Sequence, residues 1–261
     1  MKSEIIHGNA YELIKRIADH SIDLIITDPP YEYTNGGGAG AFGIKKRSYH
    51  KEYYDVSTYR QDEAKKKSRQ DISHLSSGID FKILDEFVRV MKKINIYIYI
   101  SKHMIPTVLN YFIEKGCTFE IMFWGKTNPL PTCNNTYLSD VEYLLFFREK
   151  GVPITGTYES KSKFYISGSN TSDKKEYDHP TIKPIKMVKN LILNSSKEYD
   201  VILDPFIGSG TTAVACKELN RMCIGFELDN DYYNIAINRL NGISQIDVKN
   251  RNMSIYDLGV R

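Results

Sequence analysis

Two short stretches of this 261-residue chain carry the residue types from which chemistry can be built. One is Thr27-Asp28-Pro29-Pro30-Tyr31. The other is Leu203-Asp204-Pro205-Phe206-Ile207-Gly208-Ser209-Gly210-Thr211-Thr212. Each follows an apolar run of the kind that forms a buried strand. The first offers a carboxylate, a rigid turn and an aromatic face. The second offers a glycine turn that opens a helix. Together they suit the holding of a planar, amino-bearing base against a small cofactor.

The chemistry of such a base explains the residue types. An exocyclic amine on adenine or cytosine is a poor nucleophile, because its lone pair is delocalised into the ring. To attack a methyl carbon it must become more tetrahedral, and acceptors aimed at its N–H hydrogens favour that change. Asp28 supplies one acceptor and the carbonyl of Pro29 another. Pro29 and Pro30 fix φ and stiffen the turn, so the acceptors are held before the substrate arrives. Tyr31 offers a stacking face worth about 1–3 kcal/mol. That offsets much of the cost of flipping a base from a duplex. No covalent intermediate on the protein is needed.

The glycine turn has two familiar competitors. A P-loop requires Gly-Lys-Ser/Thr, but Gly210 is followed by Thr211, which disfavours a triphosphate. A dinucleotide fingerprint requires a third glycine that is missing here. An ordinary strand-to-helix turn would look the same locally. Glu227 strengthens the cofactor reading, because it ends the next strand, where an acid accepts hydrogen bonds from ribose hydroxyls. It also suits the capping of a helix beside Asp229 and Asp231, and the two readings are compatible.

These residues must be positioned by a larger frame. The spacing of apolar residues predicts strands at 4–6, 22–27, 94–100, 118–124, 141–147, 200–203 and 223–226. It predicts helices at 10–17, 81–91, 103–114, 184–195, 211–219 and 231–240. Such alternation implies an α/β fold with a doubly wound, mostly parallel sheet. The chain reads as a single domain, 1–261, with two irregular insertions at 32–80 and 149–178. Its composition is 41% hydrophobic and 26% charged with a net charge of +3, which permits nucleic-acid binding without requiring it. Cys117, Cys133, Cys216 and Cys223 form no C-x-x-C pair, so no zinc site is expected. With no secretory signal and no apolar run near ~20 residues, a cytoplasmic location without membrane contact is expected.

The motifs resemble the β-class of amino-group DNA methyltransferases that use S-adenosylmethionine, in which the catalytic motif precedes the cofactor motif. Four segments carry the resemblance: Ile5-Ile6-His7-Gly8-Asn9-Ala10; residues 22–31; Phe123-Trp124-Gly125-Lys126-Thr127-Asn128-Pro129 with Glu142-Tyr143-Leu144-Leu145; and His179-Pro180-Thr181-Ile182-Lys183-Pro184 through Asp204 to Thr212, Glu227 and Arg239-Leu240. The resemblance implies a Rossmann-like sheet of circularly permuted motif order, with the strand ending at Asp204 beside the one ending at Asp28. It implies Asp28, Pro29, Pro30 and Tyr31 as the catalytic turn. Phe206, Gly208 and Gly210 would surround the methionine part of the cofactor. Asp204 with Thr211 or Thr212 would anchor its polar ends, and Glu227 its ribose. His179, Thr181 and Lys183 would border the same pocket, which Asn9, Ala10, Asp28 and Ser209 complete. The family usually has Asp where this chain has Asn9, so an acceptor for the cofactor's adenine amine is kept and its charge is lost. The implied product is S-adenosylhomocysteine, and no metal is implied.

Family members that methylate cytosine N4 more often carry Ser at the position of Asp28, so Asp28 favours adenine N6. Carbon-5 chemistry needs a cysteine after proline, and no Pro-Cys pair occurs. Residues 45–69 hold nine Lys/Arg against four Asp/Glu, with Tyr49, Tyr53, Tyr54 and Tyr59 interleaved. Lys45, Lys46, Arg47, Lys65, Lys66, Lys67 and Arg69 are therefore expected to grip DNA phosphates. Lys161 and Lys163 are expected to do so from the second insertion, where the class carries target recognition. A solvated loop without a specific role is the alternative for the first insertion. Double-stranded DNA is the expected partner, with a homodimer and a cognate restriction endonuclease open by resemblance. The rivals are cytosine N4 methylation, RNA methylation and an inactive DNA-binding module; intact Asp28 and Tyr31 oppose the last.

Overall fold

The computed structural model describes residues 3–30, 79–129, 131, 135, 137–168, 177 and 182–243. Among these residues eight strands form one sheet: β1 (Glu4–His7), β2 (Leu24–Thr27), β3 (Asn95–Ile100), β4 (Thr118–Lys126), β5 (Val141–Arg148), β6 (Phe164–Ser167), β7 (Val201–Asp204) and β8 (Met222–Glu227). Their order is β1-β8-β7-β2-β3-β5-β4-β6. The helices are α1 (Ala10–Leu13), α2 (Ile83–Val90), α3 (Ile105–Glu114), α4 (Ile185–Ser195), α5 (Thr211–Glu218) and α6 (Asn230–Leu240).

The sheet is mostly parallel because helices carry the chain back between β2 and β3 and between β7 and β8. The exception is β5, which runs antiparallel between β3 and β4. Both faces are covered. Ile25, Ile96, Ile98 and Leu203 pack with α2 and α3 residues such as Phe87 and Phe112 in one core. Leu24, Ile26, Tyr97, Tyr99 and Ile202 pack with α4 and α5 residues such as Leu191 and Ala215 in the other. A strand buried on both sides needs no polar alternation, which is why 22–27 reads as a continuous apolar run.

Two differences from expectation are informative. The segment 10–17 is not one helix: α1 gives way to a 3-10 turn over Ile14–Arg16. The second insertion is not wholly irregular, since β6 pairs in parallel with β4, Phe123 opposite Phe164. β6 is the edge strand, and Phe164 and Ile166 are more than half exposed. A four-residue edge strand with little burial leaves only a weak period-2 signal.

β2 and β7 are adjacent and parallel, Ile25 opposite Leu203. From β2 the chain steps outward to β3, and from β7 it steps the other way to β8. The carboxyl ends of β2 and β7 thus meet where the winding reverses, the place where open α/β sheets bind ligands.

Candidate active site

The two turns of chemical interest lie at that reversal. Asp28 follows β2 directly and is half-buried, with Pro29 buried behind it. Asp204 ends β7 and is 5% exposed. Its carboxylate holds the glycine turn together: Phe206 N–H donates to Oδ1 at 3.3 Å and the Thr212 hydroxyl to Oδ2 at 2.6 Å. Burial pushes the Asp204 carboxyl up to about 7, against the lowering effect of those two bonds; the nearby charges of Asp28 and Glu227 push the same way as burial. Two carboxylates from different strands therefore share one electrostatic environment.

The turn after Asp204 is built from buried contacts. Gly208 and Gly210 have φ of 52° and 80°, the left-handed region that favours glycine. A Cβ on Gly210 would lie 3.1 Å from the Cα of Ala236 and 3.2 Å from its carbonyl oxygen. This glycine therefore lets α5 and α6 approach closely, a packing role that the motif alone does not reveal. Arg239 on α6 is buried. Its guanidinium donates to the Ser209 carbonyl at 3.3 Å, the Ser209 hydroxyl at 3.2 Å and the Thr211 hydroxyl at 2.7 Å. It also lies 4.9 Å from the ring of Tyr177. Ser209, Thr211 and Thr212 thus point their hydroxyls into the protein and fasten the turn, while Phe206 and Gly208 are only half-buried.

Glu227 ends β8 as expected. Gly208 N–H donates to its Oε2 and Asp229 N–H to its Oε1, both at 2.9 Å. Burial pushes its pKa up, and these backbone bonds oppose the shift. Each carboxylate oxygen can accept again, so the group suits a pair of ribose hydroxyls. Asn9 is exposed and caps α1, its Oδ1 accepting from Tyr11 N–H at 2.8 Å. Ala10 is buried beneath it.

Lys183 is brought to Asp28 rather than to the glycine turn. Its Nζ lies 2.7 Å from Asp28 Oδ2 and 2.8 Å from Glu142 Oε2. Burial alone would push the lysine down, but Asp28 and Glu142 outweigh it and hold the ammonium above its ordinary range. Burial would push Glu142 up, yet Lys183 and Lys126 hold it down to about 2. Glu142 and Lys126 lie in segments whose motifs are visible in sequence, but nothing in their spacing points to this contact.

Tyr31, the first insertion through residue 78 with its basic cluster, His179 and Thr181 lie outside the described residues. Lys161 is exposed, and Lys163 is paired with Glu120 at 2.7 Å. Among the described residues no cluster of His, Cys, Asp and Glu could hold a metal ion. No helix there is long and apolar enough to cross a membrane.

Comparison with known proteins agrees with this geometry. The chain is 32% identical over 256 residues to the type II methyltransferase M2.LlaDCHI of Lactococcus lactis subsp. cremoris, covering 91% of this chain and 88% of the relative. It is 30% identical over 260 residues to the type II methyltransferase M2.DpnII of Streptococcus pneumoniae, covering 92% and 90%. The crystal structure of an M1.HpyAVI–SAM complex superposes with a TM-score of 0.64 at 23% identity, over 92% of this chain and 100% of that one. The PvuII DNA methyltransferase, cytosine-N4-specific, also gives 0.64, at 15% identity over 96% and 91%. These superpositions establish the shared Rossmann-like fold. The profile of the N6/N4 DNA methylase family matches residues 22–238, and the chain belongs to that family.

Proposed function

We propose that this protein transfers a methyl group from S-adenosylmethionine to the N6 amino group of an adenine flipped out of double-stranded DNA. The observation that carries the reading is the adjacency of the Asp28 and Asp204 turns on one sheet edge. S-adenosylmethionine supplies an electrophilic methyl group on a cationic sulfonium. Asp28 attracts that cation, which when bound would favour the ionised form of Asp204; Gly208 and Phe206 flank the crevice, and Glu227 takes the ribose. Asn9 offers its carbonyl oxygen to the cofactor's adenine while capping α1. Asp28 and the Pro29 carbonyl accept the target N–H groups and pull the amine toward a tetrahedral nitrogen. Tyr31 stacks on the flipped base. With both reactants fixed, the attack is in line and nothing is bonded covalently to the protein.

Duplex DNA as the substrate and a companion restriction endonuclease belong to the same reading, in line with relatives named type II methyltransferases. The insertions at 32–80 and 149–178 are read as the parts that cover and recognise DNA. A homodimer would supply further recognition surface, because the second insertion is short. Cytosine N4 is the second reading, favoured by the fold shared with the PvuII enzyme; Asp28 in place of the more frequent serine favours adenine. Mass spectrometry of nucleosides from DNA treated with the protein decides. N6-methyladenine is expected, N4-methylcytosine would reject the base assignment, and unmodified DNA would reject the reading as a whole.

A further inference from the structure

Four charged side chains from four different elements meet beside the Asp28 turn. Asp28 follows β2, Lys183 precedes α4, Glu142 stands on β5 and Lys126 ends β4. Lys183 Nζ bonds both Asp28 and Glu142 at 2.7 and 2.8 Å, and Glu142 Oε1 lies 2.7 Å from Lys126 Nζ. The signs alternate along the row. Lys183 lies 4.6 Å from the centre of the Tyr99 ring and Lys126 5.3 Å from that of Trp124, both rings being buried. The Lys183 side chain is 11% exposed, so it is not a surface charge waiting for a phosphate. Ion networks that are this enclosed stabilise folds weakly, because desolvation cancels much of the attraction. Such a network can instead fix the geometry of its members.

We propose that Lys183 is a positioning residue for Asp28: held by Glu142, which is held by Lys126, it locks the Asp28 carboxylate in one orientation toward the target amine. The inference rests on Asp28 being the amine acceptor. A carboxylate has about four lone-pair sites, so the bond to Lys183 is compatible with a second bond to the amine. The lysine decides which way the carboxylate faces. A misplacement of about 1 Å at such a group costs about 100-fold in rate.

The experiment follows single-turnover transfer of a tritiated methyl group from S-adenosylmethionine to unmethylated double-stranded DNA. It compares wild type, Lys183→Met, Asp28→Asn and the double variant. Wild-type DNA product is analysed first, so failure of the functional reading appears separately, as DNA without label. Lys183→Met is expected to slow transfer about 100-fold while the DNA concentration giving half the maximal single-turnover rate changes little. In the Asp28→Asn background the same change should cost less than about tenfold, because its effect passes through the lost carboxylate. Lys183→Arg keeps a cation and should recover part of the rate. Should Lys183→Met not fold, the isosteric Glu142→Gln enters the same cycle, with a loss of about tenfold expected in the Asp28 background only. Equal losses in the two backgrounds, or a Lys183→Met rate within about threefold of wild type, would overturn the proposal.

Discussion

At the scale of single residues, the site is defined by where carboxylates sit and what holds them. Asp28 is the acceptor on which the proposed chemistry turns, and Lys183 is its bonded neighbour. Asp28→Ala should lower turnover by about 10³-fold, the size of effect expected when a preorganised electrostatic group is removed. It also leaves the local charge more positive, so S-adenosylmethionine should bind less tightly than before. S-adenosylhomocysteine lacks the sulfonium charge, and its affinity, measured by calorimetry, should be nearly unchanged. Turnover close to wild type would refute the role. Asp204 yields a different prediction. Burial holds its carboxyl at about 7, whereas an unfolded aspartate titrates near ~3.9. Between those values the folded chain binds more protons than the unfolded one. The stability due to this group is therefore full below about pH 4 and lost as pH rises through about 7. Glu227, also raised by burial, acts in the same direction. Asp204→Asn removes one of the two groups, so the melting temperature of the ligand-free variant should fall less than wild type between about pH 5 and about pH 8. A wild-type slope in the variant would show that Asp204 does not titrate there.

At the scale of elements, the glycine turn is a junction between β7, α5 and α6. Gly210→Ala adds a Cβ at φ 80°, against the Ala236 backbone. Strain of this kind costs about 1–3 kcal/mol, and the atoms met include helix backbone. A bulkier side chain such as arginine would meet the same α6 backbone. The expected outcome for Gly210→Ala is a lower midpoint in urea together with weaker S-adenosylmethionine binding. Weaker binding at an unchanged midpoint would place the glycine in the pocket wall instead. Most elements are legible in the sequence because parallel strands are apolar on both faces and their helices carry one apolar stripe. The pairing of β7 with β2 is legible only through the family resemblance. β6 is hidden because an exposed edge strand has almost no pattern. The Asp28–Lys183–Glu142–Lys126 row is hidden for another reason. Its members are far apart in the chain, and charge alone does not tell a buried partner from a solvated face. Likewise Ser209, Thr211 and Thr212 read as cofactor contacts, and only packing reveals that their hydroxyls face inward to Arg239 and Asp204.

At the scale of the whole molecule, charge distribution matters more than the total. The net charge is only +3, yet residues 45–69 carry nine basic against four acidic side chains. A local excess of that kind, in a chain whose crevice is lined by Asp28, Asp204 and Glu227, separates two tasks. In the proposed reading the carboxylates serve a cationic cofactor, and the phosphates of DNA need positive charge from elsewhere in the chain. The basic insertion is proposed to supply it. Lys163 is less suited, since it already pairs with Glu120, though exposed pairs of this sort are worth only about 0–1 kcal/mol and yield readily. If Lys65, Lys66, Lys67 and Arg69 each neutralise a phosphate, binding releases condensed counterions in proportion. Replacing all four by alanine should then reduce the slope of log K against log salt by about 0.9 for each phosphate no longer neutralised. Affinity should fall most at low salt and converge with wild type at high salt. S-adenosylmethionine binding in the absence of DNA should be untouched, because the substitutions lie away from the glycine turn in sequence and chemistry. Fluorescence anisotropy of a labelled duplex over a salt series reads the slope directly. A parallel shift, with weaker binding but the same slope, would mean that the insertion orders the site rather than touching the DNA backbone, and the phosphate-gripping role would then be withdrawn.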